Sequence, residues 1–245
     1  MEDEFLGWIT VDVTERPERL RSSADLELRL RGLAGQAAIA ITNARLVDEI
    51  RHQALHDHLT GLPNRVLVLD RAERMLANAH RHSTDIALMF VDLDGFKDVN
   101  DGLGHHVGDE ILRAVATRFS AVIRETDTVG RIGGDEFVVL TECVGLSAGP
   151  DMVAERLLNA LFLPFVLGGE GMSPISISAS IGIAIGRRES AEELLADADI
   201  ALYAAKAAGK RCSAIFEPSM REAVQRRHEL AAGTSSTGQS SISQG

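Results

Sequence analysis

Thr128-Val129-Gly130-Arg131-Ile132-Gly133-Gly134-Asp135-Glu136-Phe137-Val138-Val139-Leu140 sets two extended runs on either side of a Gly-Gly dipeptide. That pattern predicts a β-hairpin whose turn reaches positive φ through glycine. Outward from it, residues 86–91 form a continuous apolar run of strand length, expected for a strand buried on both faces. Helical patterns fill the space between: residues 65–81, opened by Asn64 as a cap, and residues 109–124, with Ile111, Leu112, Val115, Phe119, Val122 and Ile123 on one face. Beyond the hairpin come a helix near 151–162, a strand over 175–185, a helix over 191–208 and a last strand over 213–216. The serine-rich alternation of the 175–185 strand reads as half-solvated. The order predicts an α/β fold, a mixed central sheet flanked by helices.

A long helix over residues 25–56 precedes this domain. Leu26, Leu30, Leu33, Ala37, Ala40, Ala44, Val47 and Ala54 step by threes and fours, a coiled-coil spacing that Arg51 interrupts. The helix either packs on a neighbouring domain or pairs in parallel with a second copy. From Gly233 onward Ser, Thr, Gly and Gln dominate, the composition of a disordered tail.

The chain has 245 residues, 45% of them hydrophobic, enough for a real core. It has no apolar run long enough to span a membrane, and its acidic start is unlike a signal peptide. Its two cysteines, Cys143 and Cys212, suit a reducing cytoplasm. A net charge of −11 argues against general nucleic-acid binding, though not against a single nucleotide with its metal.

Chemistry concentrates in acidic pairs. Strand alternation puts Asp92 and Asp94 on one side, with Leu93 opposite. A carboxylate at the mouth of a buried strand needs compensation, and a metal supplies it for Asp92; a turn cap accounts for Asp94. Asp135 and Glu136 are a second acidic pair beside Gly133 and Gly134, where a polyanion can approach bare backbone. Together they point to phosphoryl chemistry. His105 and His106 read as surface residues in a polar loop.

These residues carry a resemblance. Asp92-Leu93-Asp94-Gly95-Phe96-Lys97-Asp98-Val99-Asn100-Asp101, Gly108-Asp109 and Gly133–Phe137 resemble the GGDEF family of diguanylate cyclases. Asp57-His58-Leu59-Thr60-Gly61-Leu62-Pro63-Asn64-Arg65, Ser180-Ile181-Gly182-Ile183-Ala184 and Ala198-Asp199-Ile200-Ala201-Leu202-Tyr203-Ala204-Ala205-Lys206 extend it. The resemblance implies a fold like the palm of nucleotide cyclases and polymerases. It implies condensation of two GTP into cyclic di-GMP across a homodimer, with two pyrophosphates released.

By the same resemblance, Asp92, the Leu93 carbonyl and Glu136 hold Mg²⁺, or Mn²⁺ in its place. Asp135 stands where the family has a further ligand that helps deprotonate the 3′-hydroxyl. Gly133 and Gly134 pass beside the phosphates. Asn100 and Asp109 match the guanine-reading pair: a carboxylate accepts from N1–H and N2–H₂ together, and adenine offers no such donors. Phe96 belongs to the same substrate-binding segment, and Lys97 and Lys206 match phosphate-binding positions. The Gly-Arg-Asn usual after the second lysine is replaced by Gly209-Lys210-Arg211, so Lys210 meets phosphate as a point charge without a guanidinium's fork. Arg124 and Asp127 match an Arg-x-x-Asp product-inhibition site.

The flanks resemble other modules. Residues 7–13 and 33–45 resemble the end of a GAF sensor domain, and 216–230 resembles a linker to an EAL domain. The expected organisation is a GAF-like remnant over 1–24, a signalling helix over 25–56, the catalytic domain over 57–217, and linker and tail over 218–245. The chain then reads as a piece of a longer sensor–cyclase with a cytoplasmic location.

Overall fold

The computed structural model describes Trp8 and residues 24–143, 149–166 and 173–221. The GAF-like stretch over 7–13 and the tail beyond Gly233 lie outside them, apart from Trp8, and so does most of the EAL-type linker. The chain divides into two units, Met1–Ala54 and Leu55–Gly245.

In the first unit, helix α1 (Ala24–Leu55) runs for 32 residues, matching the expected span within a residue at each end. Leu33 and Val47 of the predicted seam are exposed.

The second unit follows as α2 (Arg65–His82), β1 (Asp85–Asp94), α3 (Phe96–Leu103), α4 (His105–Val122), β2 (Thr128–Gly133), β3 (Glu136–Cys143), α5 (Pro150–Ala160), β4 (Ser178–Gly186), α6 (Ala191–Ala207) and β5 (Ser213–Ile215). Asn64 caps α2 as its sequence position predicts, its side chain accepting from the Val66 and Leu67 amides. The sheet order is β2-β3-β1-β4-β5, antiparallel except for the parallel β4–β5 pair.

β1 is central, and alternation along it feeds two cores. Met89, Val91 and Leu93 join Ile111, Val115, Phe119 and Leu157 under α4 and α5. Ile86, Leu88 and Phe90 join Val68, Leu76, Leu194 and Leu202 under α2 and α6. A strand covered on both faces should be apolar throughout, and β1 is so from Ile86 to Val91, between the exposed Asp85 and its acidic end.

Close approach of α6 to the sheet depends on Gly182. A Cβ there would stand 2.0 Å from the Ala198 carbonyl oxygen and 2.1 Å from the Leu202 nitrogen. Across the sheet, Arg118 of α4 fixes the chain leaving α5. It donates to the carbonyls of Ala160 (3.2 Å), Leu163 (2.5 Å) and Pro164 (3.1 Å) and lies 3.8 Å above the Phe165 ring.

Four expectations change. Residues 96–103 form a helix, α3, that the sequence pattern does not announce; Gly95 and Gly104, both at positive φ, bound it and break the periodicity by which a helix is read. His105 and His106 open α4 rather than sitting in a loop, although both are exposed. β4 is buried rather than half-solvated, being second from the edge and covered by helices on both faces. The hairpin turn is Gly134-Asp135, one residue later than the Gly-Gly pair. A register shift between Arg131 and Gly133 displaces it, and only Gly134 takes positive φ (+46°).

Candidate active site

β1 and β3 bring the two acidic pairs together. Asp92 faces Glu136 across the antiparallel ladder, and the Leu93 amide donates to the Asp135 carbonyl at 3.3 Å. Asp92, Glu136 and Lys206 share the α6 face of the sheet. The Lys206 ammonium, in the last turn of α6, stands 2.8 Å from Asp92 Oδ2.

One lysine does not balance this cluster. Burial first, then the Asp92 charge, raises the Asp135 carboxyl above its ordinary value. Burial also raises Glu136, helped by Asp92, Asp135 and Asp199 of α6. Excess negative charge at the mouth of a buried strand is an environment that a divalent cation relieves. Among the described residues no three carboxylate, histidine or cysteine side chains form a closed metal cage. An open donor set of one or two carboxylates and a carbonyl suits Mg²⁺, which completes its shell with water and substrate phosphates.

The turn beside these carboxylates is held by Arg131. Its guanidinium donates to the Gly134 carbonyl at 3.0 and 2.7 Å and to Asp57 Oδ1 at 2.9 Å. Its amide donates to the Pro63 carbonyl at 2.9 Å. Asp57 also accepts from the Thr60 amide (2.9 Å) and hydroxyl (2.6 Å). Burial acts to raise the Asp57 carboxyl, but the bonds from Thr60 and Arg131 outweigh it and hold the group below the usual aspartate value. The segment after α1 is thereby tied to the hairpin tip. A Cβ at Gly133 or Gly134 would meet nothing within 4 Å, so no neighbour among the described residues demands a glycine at Gly133. Space beside the carboxylates fits an external group.

A second set of residues sits between α3 and α4. Asn100 and Asp109 come from different helices, and Asn100 packs against Gly108, where a Cβ would stand 2.0 Å from its Oδ1. Among the described residues that oxygen is buried without a hydrogen-bond partner. An orphaned acceptor is costly, and a ligand N–H would satisfy it. Asp109 lies inside α4, not at its cap, and Gly104 precedes the helix. Phe96 is buried beneath this corner, while Lys97 is exposed.

Lys210 follows α6 in a loop closed against the helix end, with its amide donating to the Ala205 carbonyl at 3.2 Å. Arg124 and Asp127 lie in the turn between α4 and β2. The Asp127 carboxylate accepts from the Arg124 amide at 3.0 Å, and the Arg124 side chain is exposed. This is a turn rather than a side-chain ion pair.

Two residues carry more than the sequence suggested. In the sequence Arg131 reads only as part of a strand; a guanidinium in an otherwise apolar run is the available signal, because it must find acceptors. Asp94 is not a turn cap: Gly95 precedes α3 without a side-chain cap bond. Instead Asp94 accepts from the hydroxyls of Ser178 (2.9 Å) and Ser180 (2.8 Å) and from the Arg211 amide (3.2 Å).

A family model described as "Diguanylate cyclase, GGDEF domain" matches residues 54–212. Among curated relatives, the bifunctional diguanylate cyclase/cyclic di-GMP phosphodiesterase MucR of Pseudomonas aeruginosa is 42% identical over 199 residues, covering 80% of this chain and 28% of MucR. Diguanylate cyclase TpbB of the same organism is 38% identical over 196 residues, covering 78% of this chain and 45% of TpbB. The chain therefore spans less than half the length of these relatives.

Solved structures agree. The GGDEF domain of TpbB matches with a TM-score of 0.64 at 37% identity, covering 69% of this chain and 99% of that one. The coiled coil and GGDEF domain of DgcB from Caulobacter crescentus, in complex with c-di-GMP, matches with a TM-score of 0.67 at 30% identity, covering 78% and 98%.

Proposed function

This chain belongs to the GGDEF family of diguanylate cyclases, and on that premise we propose that it condenses two GTP into cyclic di-GMP, releasing two pyrophosphates. The observation that carries the reading is the meeting of Asp92, Asp135 and Glu136 with Lys206 at a hairpin tip of bare glycine backbone.

Each 3′-oxygen attacks the α-phosphate of the other GTP, so two copies of the site must face each other. Asp92, the Leu93 carbonyl and Glu136, with Asp135 beside them, would hold a divalent cation, Mg²⁺ or Mn²⁺. When bound, that ion neutralises the triphosphate and charge developing at the transferring phosphorus. Asp135, whose carboxyl burial and Asp92 push upward, receives or electrostatically favours release of the 3′-hydroxyl proton. Lys206, Lys210 and Lys97 hold phosphate oxygens. Asn100 and Asp109 orient guanine through its donors, above the buried Phe96. Gly133 and Gly134 leave the phosphates room beside the backbone.

Arg124 and Asp127 form the feedback site for cyclic di-GMP: an exposed guanidinium bonds guanine O6 and N7, and the carboxylate accepts from the other edge. The catalytic unit is assigned to residues 57–217, with α1 as the element that pairs two copies. Residues 1–24 are read as a GAF remnant and 218–245 as a linker toward an EAL domain. Use of GTP assigns the activity to the cytoplasm.

Incubation with GTP and Mg²⁺ followed by chromatography tests this directly. The expected result is cyclic di-GMP from the natural sequence and none from Glu136→Ala. A dimeric, GTP-binding sample that forms no product would make the domain a nucleotide-binding module without turnover.

A further inference from the structure

The loop after α6 holds two consecutive non-glycine residues, Lys210 (φ 64°) and Arg211 (φ 54°), in the left-handed region. Glycine enters that region freely and asparagine with little difficulty, whereas a long side chain does so only when its surroundings impose it. Part of the constraint is local. Gly209 (φ 118°) donates to the Lys206 carbonyl at 3.4 Å and Lys210 to that of Ala205 at 3.2 Å, the paired bonds of a Schellman helix end.

The rest of the constraint is remote. The Arg211 amide donates to Asp94 Oδ2, from a strand 117 residues earlier in the chain. That carboxylate is itself fixed by the hydroxyls of Ser178 and the fully buried Ser180. Asp94 shares a strand face with Asp92, yet three hydrogen-bond donors already occupy it, which leaves little of its acceptor capacity for a cation.

We infer that Asp94 is a positioning residue for the triphosphate. It holds the Gly209-Lys210-Arg211 loop in its left-handed form, and so keeps Lys210 in place beside Lys206. The inference rests on the cyclase reading, in which these lysines meet phosphate. Two neighbouring aspartates thereby take different roles, Asp92 facing the metal and Asp94 facing the loop. The proposed guanine contacts, Asn100 and Asp109, lie on α3 and α4, and among the described residues they share no bond with this network.

Calorimetric titration with Mg²⁺ and 3′-deoxy-GTP, which lacks the attacking hydroxyl, tests it, with GMP as the comparison ligand. Asp94→Ala should weaken 3′-deoxy-GTP binding about tenfold, the loss of one charge-assisted bond, and leave GMP binding nearly unchanged. Asp94→Ala/Arg211→Gly should recover most of that loss, because glycine needs no carboxylate to hold the left-handed backbone. Ser178→Ala/Ser180→Ala, which keeps the carboxylate but frees it, should show the same selective loss on a smaller scale, and serves if Asp94→Ala does not fold. Unchanged 3′-deoxy-GTP affinity, equal loss for both nucleotides, or no recovery with glycine would each overturn the inference. If the natural sequence binds neither nucleotide, the cyclase reading falls and the inference with it. If it binds both and the variant is unaffected, Asp94's role alone falls.

Discussion

Glu136 illustrates how a residue proposed to hold the metal can weaken the fold that carries it. Burial and the neighbouring carboxylates raise its proton affinity in the folded chain. Above the ordinary glutamate value the charged form is therefore less welcome folded than unfolded, and stability falls as pH rises through that window. Glu136→Gln removes the cost. The variant should melt at a higher temperature than the natural sequence when both are measured without divalent cation near pH 7, and should form no cyclic di-GMP. A lower melting temperature would contradict the assigned repulsion. Gly182 works in the opposite direction, since its missing Cβ creates the seat for α6. Gly182→Ala should cost about 3 kcal/mol or more, because backbone atoms rather than a flexible side chain stand in the way. Urea denaturation with an unchanged midpoint would show that the helix lifts freely.

The hairpin is the element on which the site depends, and Arg131 fastens its tip to Asp57. Because the folded-state value of Asp57 lies below the ordinary one near about 3.9, its contribution to stability is present above that pH and is lost as pH falls through the lowered value. Asp57→Asn should therefore narrow the stability difference between pH 6 and pH 3, read by thermal melts across that range. A parallel pH profile in the variant would dissociate Asp57 from acid unfolding. Elements of this kind were partly legible in advance. The apolar run of β1, the Asn64 cap and the flanking strands announced themselves by composition and period. The shifted turn did not, because a bulge at Ile132 is a feature of pairing rather than of either strand alone. Nor did the burial of β4: Ser178 and Ser180 are polar on paper, but their hydroxyls are satisfied by Asp94 from the next strand. Asp92, Asp135, Glu136, Asn100 and Asp109 were legible as types at given spacings; the bonds of Arg131 and Asp94 cross 74 and 117 residues and had no local trace.

At the scale of the whole molecule, one site holds half of the proposed reaction. Specific activity should therefore rise with protein concentration until dimers saturate, measured as product per chain over a dilution series. A constant value down to concentrations where the chain is monomeric would place both half-reactions in one copy. The exposed Arg124 lies in a turn away from the Asp92–Glu136 cluster, so Arg124→Ala should relieve inhibition by added cyclic di-GMP while leaving the initial rate. Inhibition of equal strength in the variant would remove the feedback assignment.

Strand order gives synthesis on the ribosome a definite sequence of events. β1 emerges early, but its partner β4 and the ion-pairing Lys206 come far later in the chain. Until residue 206 has been made, Asp92 has no lysine, and until β4 is made Asp94 has no serine hydroxyls, so a nascent chain carries its acidic strand end uncompensated. On the proposed reading, nucleotide capture waits until α6 has left the exit tunnel. A chain cut short before β4 would retain the Gly-Gly-Asp-Glu-Phe signature and still be inert.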